Sequence, residues 1–295
     1  MPKAIETVNL TYIYPDGTKA LENINFVAEK GDKIALLGPN GAGKSTLLYH
    51  FNGLLMPTKG KVYVLGREVS KNNLDFVRQK VGLVFQNPDD QLFAPTVFQD
   101  IAFGPRNLGL PDKEIEERVK WAMEVMGLKG LENKPPQRLS QGQKKMVAIA
   151  GVLAMKPEII ALDEPTANLD PKTVNSILEL LLKLNEDYGM TLIIATHDVD
   201  FVPLCADKIY VLGRGKIHLH GPLRDVFSST ETLRSVDLRL PRIAHLFEII
   251  KVKDRLPIGN SLPLTIGEAR REIHKLLKME NRANGNQGYC EVNES

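Results

Sequence analysis

Apolar and polar positions along this chain change period several times. Over residues 5–26 they follow short strands broken by a turn at Pro15-Asp16-Gly17. Residues 33–37 are an apolar run that ends in a glycine-rich loop, and residues 44–55 turn helical until Pro57 stops them. Residues 61–65 and 81–85 again predict strands. A mostly helical stretch follows, in which Ile115, Val119, Ala122, Met123 and Met126 share one face and Gly127 suits the helix end.

Beyond it, a strand ("EIIALDE"), a helix over residues 171–188 and a second strand ("TLIIAT") alternate, which predicts a parallel α/β sheet. "KIYVLG" and "GKIHLHG" form a last strand pair joined at Arg214-Gly215. Past residue 228 the composition shifts to scattered prolines and two helical pieces. The second piece opens with Thr265 and Glu268 in capping-box spacing and carries an apolar stripe of Ile266, Ala269, Ile273, Leu276 and Leu277. Residues 281–295 are expected to be a disordered tail.

Composition narrows the class. A chain of 295 residues has room for one large domain and a small appendix, and 43% hydrophobic with 25% charged residues is ordinary for a globular protein. A formal charge of +2 lacks the basic excess of nucleic-acid domains, so no nucleic-acid partner is expected. Cys205 and Cys290 cannot build a disulfide framework, and Cys205 is expected in the core. The first ten residues, MPKAIETVNL, lack the zones of a signal peptide. The most apolar helix-like run, residues 146–155, falls short of the roughly 20 residues that span a bilayer, so attachment to a membrane would be peripheral.

The chemistry starts at "LLGPNGAGKSTLL", residues 36–48. Gly38, Gly43, Lys44 and Ser45 satisfy G-x-x-x-x-G-K-[ST] between a predicted strand and a predicted helix. Glycines let backbone N–H groups converge on phosphate oxygens, and the helix that follows adds its positive end. The expected nucleotide contacts are Gly38, Pro39, Asn40, Gly41, Ala42, Gly43, Lys44, Ser45 and Thr46, with Lys44 on the β- and γ-phosphates and Ser45 on Mg²⁺. Asp163 and Glu164 end a buried strand. The first suits Mg²⁺ and the second suits an attacking water, although an acidic pair opening the turn at Pro165 would read alike.

In "RLSQGQKK", Ser140 and Gln143 read alone as a helix capping box, which suffices structurally. Together with the glycine loop and "LDE", the stretch resembles the LSGGQ signature of the ATP-binding cassette (ABC) ATPases, over roughly residues 4–228. The resemblance implies a P-loop ABC cassette. Such a cassette has a mixed, mainly parallel sheet core, an N-terminal antiparallel β subdomain and a helical signature subdomain over about residues 87–155. The nucleotide-binding domain would be 1–230 and a small, mainly helical extension 231–280.

It further implies that Ser140, Gly142 and Gln143 reach ATP held by a second cassette. Gln141 departs from the family pattern, where glycine is usual. Gln86 resembles the Q-loop glutamine, a Mg²⁺ ligand, and His197 the switch histidine. Asn168 and Asp170 resemble the D-loop, and Tyr14 the adenine-stacking aromatic. Read without the family, Gln86 is equally a strand-end amide and Tyr14 a strand-end tyrosine.

"QNPDDQLFAPTVFQDIAFGPRNLGL", "LSQGQKKMVAIAGVLAM" and "LRLPRIAHLFEII" resemble the ATPases of energy-coupling-factor importers, nearest the cobalt/nickel group. That implies ATP hydrolysis with Mg²⁺ on the cytoplasmic face of the cell membrane. The implied partners are a second ATPase subunit, identical or related, a transmembrane coupling subunit and a substrate-binding membrane subunit. Cobalt is the expected cargo, with nickel or a vitamin as alternatives. A soluble ABC ATPase of repair or translation is the rival; the long coiled-coil insertion and the second cassette of those types are missing here.

Overall fold

Two eleven-residue strands, β1 (Lys3–Ile13) and β2 (Lys19–Glu29), pair antiparallel across a tight turn closed by Gly17 N–H donating to Tyr14 O. The computed structural model describes residues 2–259 and 261–285. β3 (Lys33–Leu37) runs through the glycine loop into α1 (Lys44–Phe51). β4 (Lys59–Val64) and β5 (Arg67–Glu68) complete a four-stranded antiparallel sheet in the order β2-β1-β4-β5.

α2 (Leu74–Lys80) leads into β6 (Val81–Val84), and α3 (Val97–Asn107), α4 (Asp112–Val125) and α5 (Gln141–Leu153) make the helical region. β7 (Ile159–Asp163), α6 (Pro171–Tyr188), β8 (Thr191–Thr196), the short α7 (Val202–Cys205), β9 (Lys208–Gly213) and β10 (Lys216–Pro222) follow. The second sheet has the order β10-β9-β3-β8-β7-β6, parallel throughout except for β10 at its edge. This is the mixed α/β cassette that the motifs imply.

Strands buried on both faces read as apolar runs, and their alternate residues feed two cores. Ala35, Leu37, Ile160, Leu162, Leu192 and Ile194 face a core shared with the helical region and α6. Ile34, Leu36, Ile159, Ala161, Ile193 and Ala195 face a core shared with α1 and the antiparallel sheet. The glycine loop and the ends of β7 and β8 therefore leave the sheet at one edge, where parallel sheets bind ligands.

Among the described residues, four helices follow: α8 (Leu223–Ser228), α9 (Thr230–Ser235), α10 (Arg242–Lys253) and α11 (Ile266–Gly285). Leu233, Val236, Leu238, Leu240 and Ala244 belong to the main core, so packing is continuous across the boundary expected at residue 230. Only Phe247, Ile258 and Ala269 form a separate small cluster, with Leu276 against it. The rest of the α11 stripe is not covered: Ile266 is 76% exposed, Ile273 48% and Leu277 52%. The Thr265 hydroxyl accepts from Glu268 N–H as a cap should, whereas the Glu268 carboxylate accepts from Leu264 N–H, one residue before the expected place.

α11 runs on to Gly285, and residues 286–295 of the expected tail, with Cys290, lie outside the described residues. Cys205 is buried as expected. Among the described residues, no helix is long and apolar enough to cross a membrane.

Candidate functional site

Between β3 and α1, residues 38–45 wrap a loop in which Gly38 and Gly43 face close neighbours. Gly43 sits at φ 101°, and a Cβ there would come within 2.8 Å of Ala20 O and 2.9 Å of the Leu21 side chain. No other residue fits that backbone. The loop is braced from far along the chain, since Gly215 N–H of the β9–β10 turn donates to Ala42 O at 3.1 Å.

Lys44 is 6% exposed, and its ammonium donates to Gly38 O at 2.7 Å and Pro39 O at 3.2 Å. It also lies 3.4 Å from a carboxylate oxygen of Glu164, which is equally buried. Glu164 follows β7 in a left-handed conformation, φ 44°, rare for a residue with a side chain and typical of functional sites. Its N–H is held by Ala195 O, and its carboxylate accepts from His197 Nδ1 at 2.8 Å and from the Thr196 hydroxyl at 3.2 Å. Lys44, Glu164 and His197 thus meet at one carboxylate, although they come from the start of α1 and the ends of β7 and β8.

Asp163 is buried beside them. Burial pushes its carboxyl above the usual carboxylate range, while the hydroxyl of Ser45 hydrogen-bonds it and pulls it back. Among the described residues, its Oδ1 has no hydrogen-bond partner. A buried unpaired carboxylate oxygen next to a serine hydroxyl suits a hard cation such as Mg²⁺. Tyr14 is half-buried at the start of the β1–β2 turn, and its hydroxyl shares a 3.0 Å hydrogen bond with Thr46. Gln86 is exposed just past β6.

Ser140, Gly142 and Gln143 lie elsewhere. Ser140 Oγ accepts from Gln143 N–H at 3.3 Å, and the Gln143 side chain accepts from Ser140 N–H at 3.1 Å, so the capping box read from the sequence is formed. Ser140 is exposed at this tip. Gly142 packs on α6: an added Cβ would lie 2.8 Å from Thr173 Cγ2. Together with Asp170, whose carboxylate caps α6, these residues line a separate depression. Among the described residues, no hydrogen bond or ion pair joins this tip to the glycine loop of the same chain.

The part that two residues play here went unread in the sequence. One is Gly215, whose turn props the glycine loop. The other is Lys145, 2% exposed, whose ammonium donates to Gln86 O at 2.6 Å and Phe85 O at 3.1 Å. Its place on the same face as Ala148, Ile149 and Val152 was a usable signal, because a lysine on a buried helix face needs acceptors.

The family profile described as "ABC transporter" matches residues 21–167. The chain is 58% identical over 276 residues to the energy-coupling factor transporter ATP-binding protein EcfA of Methanocaldococcus jannaschii, covering 93% of this chain and 98% of that one. Its fold matches the structure of cbiO1 from Clostridium perfringens, described as part of the ABC transporter complex cbiONQ. The TM-score is 0.72 at 46% identity, over 84% of this chain and all of that one. It also matches a dimeric ATP-binding cassette in a post-hydrolysis state bound to ADP and Pi, with a TM-score of 0.68 at 32% identity, over 75% and 99% of the two chains.

Proposed function

The chain belongs to the ABC transporter ATPases, within them to the energy-coupling-factor type, and from that premise we propose that it drives uptake of a transition-metal ion, cobalt, from the cytoplasmic face of the membrane. The observation that carries the reading is the division of the site. Lys44, Glu164 and His197 converge beside the glycine loop, while the Ser140–Gly142 tip stands apart on the surface. A site so divided is completed by a second cassette, identical or related, whose helix tip reaches the γ-phosphate.

In this reading Tyr14 stacks on adenine, the loop from Gly38 to Thr46 cradles the phosphates, and Lys44 turns from the Gly38 carbonyl to them. Ser45, Asp163 and Gln86 would hold Mg²⁺, which would supply charge neutralisation for the phosphates. Glu164 polarises the water that attacks the γ-phosphorus, and His197 fixes the carboxylate and the γ-phosphate side of the site. The bond from the γ-phosphorus to the bridging oxygen breaks, releasing ADP and phosphate. Asn168 and Asp170 sit where the two cassettes would meet.

The side facing the membrane subunits is the segment between Gln86 and Leu110. A groove of about 790 Å³ opens there, lined by Leu54, Phe76, Phe85, Phe103 and Met155. Phe93 and Phe103 are exposed at its rim and pack edge to face. Apolar surface of that kind suits coupling helices. The exposed Ile266, Ile273 and Leu277 of α11 support a dimerisation role for the extension after residue 230.

The test is to purify the complex from native membranes, identify the integral subunits that accompany the chain, and measure ATP-dependent uptake of radioactive cobalt in vesicles. Uptake of nickel or a vitamin in place of cobalt would overturn the cargo, and absence of any integral partner the transport role.

A further inference from the structure

The signature helix grips the segment after β6 at several points. Lys145 Nζ holds the carbonyls of Phe85 and Gln86, and Lys144 pairs with Asp89 at 2.7 Å. Gln91 bridges Phe85 N–H and Ala148 O, at 3.1 and 3.0 Å. Gln141, the residue that departs from the family pattern, hydrogen-bonds Asp89 through its side chain. Lys145 is the deepest of these contacts. Among the described residues it makes no ion pair, and it is 2% exposed, with the two main-chain carbonyls as its acceptors. An ammonium in that position is costly to keep unless its hydrogen bonds matter.

We propose that Lys145 is a positioning residue for hydrolysis: from the signature helix it fixes the backbone of Gln86, so that the Gln86 amide meets the nucleotide in one orientation. Its two acceptors are main-chain carbonyls flanking the exposed glutamine, so the tether acts on Gln86 without touching nucleotide. The same bond ties the helix whose tip serves the partner's ATP to the residue that serves the chain's own. The inference rests on the reading of Gln86 given above.

The test uses the full-length chain with Lys145→Met, Lys145→Arg and Gln86→Ala, alone and combined. ATP turnover is measured against ATP concentration, nucleotide affinity with a fluorescent ATP analogue, and folding by thermal melting. Lys145→Met should lower kcat about tenfold with KM and nucleotide affinity within about twofold, the pattern of an interaction made only in the transition state. Lys145→Arg, which keeps the donors, should restore most of the rate. In the Gln86→Ala background Lys145→Met should cost nothing further, since both act through one amide.

An unchanged kcat in Lys145→Met beside a slow Gln86→Ala removes the role given to Lys145 alone. Independent, multiplying losses in the double variant do the same. A normal rate in Gln86→Ala instead removes Gln86 from the site, and the tether's purpose with it. Should Lys145→Met melt early, Lys145→Gln, whose shorter side chain carries a neutral donor, takes its place: a smaller fall in kcat that adds nothing in the Gln86→Ala background upholds the tether, and an unchanged kcat or multiplying losses overturn it.

Discussion

Glu164 and His197 share a 2.8 Å hydrogen bond between the ends of adjacent parallel strands, 33 residues apart in sequence. The histidine is exposed and the carboxylate is buried, so the bond connects a group that a partner can touch with one that it cannot. Lys44 approaches the same carboxylate oxygen from the glycine loop. Any event that draws Lys44 toward phosphate therefore changes the surroundings of the residue that would activate water.

Glu164→Gln keeps the size of the side chain and loses its basicity. ATP turnover should fall by at least about 10²-fold while ATP binding persists, because the phosphate cradle does not depend on the carboxylate. Turnover and analogue binding measured on the same preparation decide the matter; undiminished turnover removes Glu164 from the role of water-polarising base.

Gly142→Ala drives a methyl to within 2.8 Å of Thr173 Cγ2. Thr173 is held by Asp170, so it yields poorly, and overpacking of this kind costs about 1–3 kcal/mol. ATP turnover should fall because the helix tip is displaced. Adding Thr173→Ser, which removes the methyl and keeps the hydroxyl, should restore it. A double variant as slow as the single one would show that the collision is not the cause.

Asp100 accepts from Phe93 and Ala94 N–H through one oxygen, and its other oxygen is buried without a partner. Burial raises its carboxyl above the ordinary range, against those two backbone bonds. A group with a raised folded pKa holds more protons folded than unfolded, so its contribution falls as pH rises through that value. Relative to Asp100→Asn, the natural chain should therefore lose melting temperature as pH rises from about 4 to 7. Melting curves of both across that range check it; a gap that does not move with pH contradicts it.

Deleting residues 231–295 removes Leu233, Val236, Leu238, Leu240 and Ala244 from the main core. Since a single buried Leu→Ala costs about 2–5 kcal/mol, that truncation should not fold stably. Deleting residues 255–295 takes only Leu264 from that core and should melt cooperatively. If the exposed stripe of α11 makes the dimer, the shorter deletion should lower the dimer fraction without nucleotide, as light scattering would read. An unchanged nucleotide-free dimer would dismiss that role.

Much of the fold was legible because its central strands are buried on both sides. β3 and β8 fall where their apolar runs begin and end, and α6 runs from the proline after its Asp170 cap to the glycine that stops it. β1 and β2 read as short strands because register shifts interrupt their alternation, although each is eleven residues long. α1 ends at Phe51, four residues before the predicted end, and the short α2 left no periodic signal at all.

At the site, the phosphate loop, the acidic pair and the signature were visible because their backbone chemistry demands particular residues at fixed spacing. Lys145 was not, because a cation within an apolar helix looks like an interruption until its acceptors are seen. Gly215 was hidden for a similar reason. A hairpin turn shows in the sequence, but not what it leans on.

That last contact has a bearing on biosynthesis. The motif that defines the cradle leaves the ribosome early, yet its brace comes from Gly215, more than a hundred and fifty residues later. Domains tend to fold as units while the chain emerges. A nascent chain that carries the whole glycine loop but stops short of the last hairpin lacks that brace, and would hold ATP less tightly than the chain that has made it.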